Sequence, residues 1–214
     1  MTTSPGTCAL CRVELPKARM GKHLASCAPK TGSASWLHLV AEGRGAPEYW
    51  LHLMVQPRAT LRDLDAFLRH TWLECCGHMS EFVIGGRRYW SSGSREFGAP
   101  ETFSMSASLG EVLRPAVRFT HVYDFGTSTE LRLRVLPDLV AAPAKRKVTL
   151  LARNNALTYA CAVCGAPATL VCPECAWERA ASLCRRCGRG HECGEEMLLP
   201  LVNSPRVGQC GYTG

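Results

Sequence analysis

The last fifty or so residues of the chain contain nine potential metal ligands, and most of them come in pairs two residues apart. A Cys-x-x-Cys pair lies on a tight turn whose backbone amides point at the sulfurs, so each pair supplies half of a tetrahedral zinc site. Consecutive half-sites therefore predict a small module that holds two zinc ions. Its predicted ligands are Cys161, Cys164, Cys172, Cys175, Cys184, Cys187, His191 and Cys193.

The order of these half-sites leaves two pairings open. Sequential pairing would place the first two Cys-x-x-Cys pairs on one ion, but the segment between them, residues 165–171, is short for a complete zinc ribbon. Interleaved pairing joins the first pair to the third and the second pair to the His-x-Cys motif. This order resembles cross-brace fingers of the ZZ and MYND kind, and we favour it. Cys210 could replace His191 or Cys193 as a ligand.

A third set of ligands lies near the other end of the chain. Cys8 and Cys11 form a Cys-x-x-Cys pair, and His23 and Cys27 follow one helical turn apart. This spacing is close to that of a small zinc finger and predicts a site with three cysteines and one histidine. The alternative is a flexible tail with incidental cysteines.

The cysteines also indicate where the protein works. Residues 1–6 have neither the basic start nor the apolar stretch of a signal peptide, so metal binding is favoured over disulfides among the 13 cysteines. No stretch of about 18 apolar residues could span a membrane. We therefore expect a reduced, soluble, cytoplasmic protein with three structural zinc ions. For Cys75 and Cys76, a fourth metal site is conceivable, but the sequence favours buried thiols.

The sequence predicts an α+β architecture with four parts. A zinc finger (1–33) and a two-zinc cross-brace-like module (158–214) flank a β-grasp-like central domain (34–140), and a basic linker covers 141–157. The central domain begins with two alternating runs, 36–40 and 50–55, that share the tetrapeptide WLHL. In the predicted hairpin the leucines face the core, whereas the histidines and tryptophans take a half-wet face.

A helix is predicted after this hairpin. Thr60 and Asp63 form a capping signal, and apolar residues from Leu61 to Cys75 then recur at steps of three and four, up to Gly77. Strand residues at 81–84 and 87–90, a second short helix and a further hairpin complete the domain. The order of hairpin, helix and strand is typical of a β-grasp unit.

Three segments of the central domain resemble the Ri-plasmid open-reading-frame-three-like family, also described as insertion-element passenger proteins. They are residues 59–64 (ATLRDL), 78–86 (HMSEFVIGG) and 120–126 (THVYDFG). The resemblance covers about residues 34–136 and implies an α+β domain, an association with mobile elements and no assigned biochemical role. Many members continue after the third segment with Asp-Gly-Trp, whereas this chain reads TSTE at 127–130. The zinc-rich end, including residues 203–212, is similar to that of a subset of members.

Positive charge is concentrated at the two ends of the chain. Residues 1–34 contain five Lys or Arg and one acidic residue, whereas residues 35–140 contain eleven against twelve. Zinc-bound thiolates reduce the surplus, but the N-terminal finger keeps about three positive charges. We therefore expect this finger to contact nucleic acid through Arg12, Lys17, Arg19 and Lys22.

Two other functions remain open. One is a protein–protein adaptor that uses the central domain and the cross-brace module, with Trp36, Trp50 and Trp90 as exposed contact residues. The other is an enzyme, for which His121 and Asp124 form the one acid–imidazole pair worth testing. The sequence favours a non-catalytic binding protein and leaves its oligomeric state undetermined.

Overall fold

A computed structural model describes residues 4–28, 32–91, 102–141, 145–178 and 181–214. The chain divides into two compact units. The first, the sheet unit, comprises Met1–His70 and His78–Asn155, and the second, the cysteine-rich unit, comprises Thr71–Gly77 and Ala156–Gly214. The architecture is α+β and dominated by strands, as predicted. The finer β-grasp assignment stays a prediction.

The sheet unit is built on one sheet of ten strands, in the order β2-β1-β10-β4-β3-β9-β8-β5-β6-β7. Neighbouring strands are antiparallel except for β6 and β7, which are parallel. The strands are β1 (Pro5–Cys8), β2 (Glu14–Pro16), β3 (Ala34–Gly43), β4 (Trp50–Val55), β5 (Ser80–Ile84), β6 (Arg87–Trp90), β7 (Thr102–Ser104), β8 (Arg118–Tyr123), β9 (Thr129–Ala141) and β10 (Val148–Asn154). The helices are α1 (Lys17–Cys27), α2 (Leu61–Leu68) and α3 (Leu109–Val112).

The predicted hairpin is present as β3 and β4, with Leu39 opposite Leu53. The face that carries its tryptophans and histidines differs from the prediction, because it is buried rather than half-exposed. Trp36 and Trp50 are buried in a cluster with Met20 and Leu24 of α1, and the neighbouring His38 and His52 are buried too. The N-terminal finger covers this face, which explains why tryptophans and histidines alternate with the leucines.

Helix α2 packs on the opposite face of the sheet. It begins as predicted, because Thr60 and Asp63 form a reciprocal capping box. Its buried residues include Leu64 and Asp65, and a π-helical turn, Arg69–Leu73, follows its last residue. Asp65 accepts hydrogen bonds from His121 on β8 at 2.7 Å and from Ser80 on β5 at 2.6 Å. This polar contact joins the helix to two strands at the core.

Two predicted segments take part in the sheet rather than lying apart from it. Strand β1, within the predicted finger, pairs with β10, and Gly6 lies opposite Asn154. Strand β10 itself lies inside the predicted basic linker and also pairs with β4. The boundaries expected at residues 33/34 and 140/141 therefore fall within one compact unit. Residues 142–144 of the predicted linker lie outside the described residues.

The cysteine-rich unit has little regular structure of its own. Its sheet consists of the two-residue strands β11 (Leu170–Val171), β12 (Ser182–Leu183) and β13 (Leu199–Pro200). One short helix, α4 (Arg185–Gly188), and two 3-10 turns, Glu174–Glu178 and Glu195–Met197, complete the regular structure described there. Among the described helices of both units, none has the length and apolar character needed to cross a membrane.

Candidate metal centres

The N-terminal ligands come together around α1 and the turn between β1 and β2. Cys8 ends β1, and Cys11 follows in the turn, where Arg12 has a positive φ of 65°. His23 and Cys27 lie one turn apart on α1. The four ligand atoms lie within 4.8 Å of one another, and the Cys11 Sγ to His23 Nε2 distance is 3.3 Å.

The cysteine-rich unit contains two groups whose members are interleaved along the chain. The first consists of Cys161, Cys164, Cys184 and Cys187, and the second consists of Cys172, Cys175, His191 and Cys193. In both groups the ligand atoms again lie within 4.8 Å of one another. Gly165, with a φ of 72°, donates its backbone N–H to the Cys161 carbonyl at 2.9 Å and closes the first turn.

The distances between ligand atoms match the size of a tetrahedral zinc site. Zinc–sulfur bonds of about 2.3 Å place two thiolates of one tetrahedron about 3.8 Å apart. The Sγ–Sγ distances are 3.7 Å between Cys164 and Cys184 and 3.7 Å between Cys175 and Cys193. Disulfide bonds would bring the sulfurs to about 2.05 Å, and all 13 cysteines are free.

The thiols within a group differ in how easily they lose a proton. Hydrogen bonding from the backbone of Cys184 lowers the pKa of Cys161 to about 6, whereas interaction with the Cys164 thiol raises the pKa of Cys187 to about 12. In the N-terminal group, burial raises the pKa of Cys27 to about 12. One thiolate of a group therefore forms readily, and its negative charge opposes the ionisation of the other thiols. A divalent cation removes this repulsion, because it pairs with all the thiolates at once.

A fourth group corrects two sequence-based expectations. Cys75, Cys76, His78 and Cys210 have ligand atoms within 4.8 Å of one another, so four groups could hold a metal ion, not three. Cys75 is half-buried and Cys76 is exposed, and thus neither is the fully buried thiol that the sequence favours. Cys210 belongs to this group and replaces no ligand in the other groups.

The three thiols of the fourth group lie in the cysteine-rich unit, and His78 follows its Thr71–Gly77 segment directly. Two contacts hold that segment beside the C-terminal residues: Ser204 donates to the Trp72 carbonyl at 2.6 Å, and Arg206 donates to Cys75 Sγ at 3.4 Å. The Arg206 side chain is fully buried. The Thr71–Gly77 segment and the C-terminal residues therefore pack together within the cysteine-rich unit.

The fourth group was missed because its members are far apart in sequence. The local signal was two adjacent cysteines followed by His78, which is half of a ligand set. The other half is a single cysteine near the C-terminal end, and no Cys-x-x-Cys spacing marks it. Folding brings Cys210, whose φ is 46°, next to the pair.

All four groups suit structural rather than catalytic zinc. Each supplies four ligand atoms, which is the full coordination number of a structural site, whereas catalytic sites use three protein ligands and keep one position for water. Sulfur and imidazole are also the donors that zinc prefers. The ligand chemistry therefore fits zinc at every group.

The expected nucleic-acid contacts differ in their availability. Arg12, Arg19 and Lys22 are exposed on the finger. Lys17 is engaged, because its Nζ lies 2.6 Å from a Glu42 carboxylate oxygen and donates to the Pro47 carbonyl at 2.7 Å. The other three side chains face solvent.

The pair considered for catalysis does not form. His121 is fully buried and bonded to Asp65, not to Asp124. The Asp124 carboxylate lies 3.6 Å from His78 and accepts the Gly126 backbone N–H at 2.9 Å, which stabilises a turn in which Asp124 has a φ of 65°. Both residues therefore have structural contacts.

Comparison with known proteins shows similarity at the level of the fold. No protein-family model and no curated protein matches the sequence. The crystal structure of a protein of unknown function from Methanosarcina mazei Go1 is similar, with a TM-score of 0.50 and 20% sequence identity. The match covers 58% of this chain and 71% of that chain. At this identity the chain shares a fold with that protein.

Proposed function

We propose that each of the four groups holds one zinc ion and that these ions stabilise a non-catalytic binding protein. The observation that carries this proposal is the set of four complete ligand groups with the dimensions of a tetrahedral site. Zinc stabilises a small module by on the order of 10 kcal/mol. Because the ligands must be free thiols, a reducing compartment such as the cytoplasm is part of the proposal.

Elemental analysis of the reduced full-length protein tests this proposal. We expect four zinc ions per chain, and we expect three in a Cys75→Ser/Cys76→Ser variant, because only the fourth group uses those thiols. A Thr213→Ala variant is the control and should keep four. A count of three that is unchanged in the double variant would show that Cys75 and Cys76 are not ligands.

For the binding partner, we propose nucleic acid, contacted through Arg12, Arg19 and Lys22 of the N-terminal finger. The support is their exposure on a metal-stabilised module with a positive surplus. Lys17 is left out of the contact set because it is paired with Glu42. Three phosphate contacts would release bound counterions, so binding should weaken steeply with salt.

A salt titration of binding to a mixed-sequence 20-base-pair duplex tests this contact. The logarithm of the binding constant should fall with the logarithm of salt concentration with a slope of roughly −2.7 for three contacts. An Arg12→Gln/Arg19→Gln/Lys22→Gln variant should bind much more weakly, whereas Arg62→Gln on α2 should bind like the parent. Absence of binding at low salt would remove the proposal.

The adaptor function keeps less support than the sequence suggested. Trp36 and Trp50 are buried, so they cannot be contact residues. Trp90 remains half-buried, and its ring lies 5.4 Å from that of Phe125, which is 40% exposed. This aromatic pair is the surface that an adaptor would use.

We also propose that the central part of the chain is related to the Ri-plasmid family and has a β-grasp-like fold. The hairpin–helix–strand order of β3, β4, α2 and β5 supports both proposals.

A further inference from the structure

An open groove lies on the same face of the sheet as His38, His52 and the N-terminal finger, beyond the buried tryptophan cluster. Strands β3, β9, β8 and β5 form its floor, and the Gly85–Gly86 turn forms one end. Its volume is about 590 Å³, within the range of small-molecule sites. The side chains that matter for its chemistry are Glu42, Arg118, Arg132 and Arg134, beside Val40, Val83 and Thr120.

Three arginines converge on this groove because of strand alternation. Arg132 and Arg134 are exposed on β9 between the buried Leu131, Leu133 and Val135. Arg118 on β8 lies directly opposite Arg134. Residues two apart on one strand, or opposite on adjacent strands, share a face of the sheet. The three guanidinium groups are therefore neighbours.

No carboxylate among the described residues neutralises these three arginines. In the described part of the chain, none of the three forms an ion pair with a carboxylate. Glu42 is the acidic residue in the groove lining. Its carboxylate is already paired with Lys17, whose Nζ lies 2.6 Å from a Glu42 carboxylate oxygen. Charges of like sign opposite one another on adjacent strands destabilise a sheet. Arg118 and Arg134 thus carry a cost that folding alone does not explain.

The positive charge of the groove also affects the two nearby buried histidines, His38 and His52. Burial and, to a smaller extent, the positive charge of Arg134 together lower the pKa of His38 to about 4. Arg134 therefore lies close enough to both buried histidines to act on them electrostatically.

We infer that the arginine groove binds the phosphate groups of an anionic ligand. Guanidinium groups match phosphate oxygens in geometry and pair with them by two parallel hydrogen bonds. The phosphates could belong to a free nucleotide or polyphosphate or to a nucleic-acid backbone; in the second case the inference rests on the proposed nucleic-acid contact. The groove is separate from the metal ligands, none of which lines it.

The test uses the zinc-loaded full chain with inorganic triphosphate and with a 12-nucleotide single-stranded oligonucleotide, each at low salt. Calorimetry should detect binding of at least one probe, and that probe should raise the melting temperature. Arg134→Gln should weaken binding roughly ten-fold, the effect of losing one charge-assisted hydrogen bond. The variant should remain folded, because it removes a repulsion. Arg62→Gln is the matched control.

The two probes and the finger variant separate the possible outcomes. Triphosphate binding that is weakened in Arg134→Gln but unchanged in the triple finger variant supports a groove for small phosphates. Oligonucleotide binding that weakens in both, without triphosphate binding, supports a nucleic-acid backbone in the groove. If neither probe binds, or if Arg134→Gln binds both as tightly as the parent does, the inference is wrong. If only the finger variant weakens oligonucleotide binding, the finger contacts nucleic acid and the groove does not.

Discussion

His38 and His52 show how one residue pair depends on a distant part of the chain. His38 Nε2 lies 2.9 Å from His52 Nδ1, so one ring donates a hydrogen bond to the other. Burial lowers their pKa values to about 4 and about 3, so both are neutral near pH 7. Gly21 of α1 lies close to this pair, since a Cβ at Gly21 would be 3.5 Å from the His52 ring.

This pair predicts a pH dependence of stability. An unfolded histidine has a pKa near 6.5, so between about pH 6.5 and 4 the unfolded chain binds more protons than the folded chain. The contribution of these histidines to stability should therefore be fully present above about pH 6.5. On acidification the free energy of unfolding should fall by up to about 1.4 kcal/mol per pH unit for each histidine. Urea unfolding at several pH values measures this slope.

A His52→Gln variant provides the comparison, because acid also protonates the thiolates and releases metal from both proteins. The difference between the two slopes isolates the histidine. The variant should show the shallower slope, and equal slopes would contradict the neutral buried pair.

At this scale the sequence indicated which cysteines and histidines come together in three of the groups, but not the surroundings of His38 and His52. Cys-x-x-Cys spacing is local, so it can be recognised without knowledge of the fold. The burial of His38 depends on α1 lying over β3 and β4, and no periodicity within the hairpin encodes that cover. The same limit hid Cys210, whose partners are more than a hundred residues away.

Among the elements, β1 joins the N-terminal metal group to the sheet. It begins at Pro5, contributes the ligand Cys8 at its end, and pairs with β10 along its length. At Gly6 the neighbouring backbone comes very close: a Cβ there would lie 2.3 Å from the Arg153 carbonyl oxygen and 2.4 Å from the Trp50 ring. Only glycine allows this approach.

A Gly6→Ala substitution should therefore destabilise the sheet unit. Because a backbone carbonyl and a buried ring cannot move aside cheaply, we expect a loss of about 1–3 kcal/mol in the free energy of unfolding. Denaturant unfolding measures the loss. Gly45→Ala is the control, since nothing lies within 4 Å of a Cβ at Gly45; equal stability of the two variants would argue against the close β1–β10 packing.

Elements with local signals were predictable, whereas β10 was not. The capping box of α2 and the alternation in β3 and β4 appear directly in the sequence. Residues 148–154 show no alternation and follow a run of three basic residues, so they suggested a linker. Their strand character comes from pairing with β4 and β1, which are distant in sequence.

The whole molecule combines a unit with a large core and a unit whose C-terminal segment, 156–214, buries few apolar side chains. Most of the large buried side chains lie in the sheet unit. Between residues 156 and 214, the buried apolar side chains are Val171, Leu183 and Tyr212, together with two cysteines, in the described part of the segment. So few apolar contacts do not outweigh the entropy of ordering this length of chain.

Chelation should therefore affect the two units differently. After removal of zinc from the reduced protein, amide protons of residues 156–214 should exchange rapidly, whereas those of β3, β4, β8 and β9 should remain protected. Hydrogen exchange followed by mass spectrometry measures both in one sample, and zinc re-addition should restore protection. Retained protection of 156–214 in verified metal-free protein would show that metal is not what orders this segment.

The pairing of β1 with β10 also has a consequence for biosynthesis. Thr7 on β1 hydrogen-bonds Asn155, which lies 148 residues later. At ribosomal speed that separation corresponds to a delay on the order of ten seconds. During that interval the first strand has no partner in the sheet, and the tryptophan face of the nascent hairpin lacks a fully docked cover. Chaperone occupancy on ribosome-bound chains should accordingly peak before residue 155 emerges from the exit tunnel.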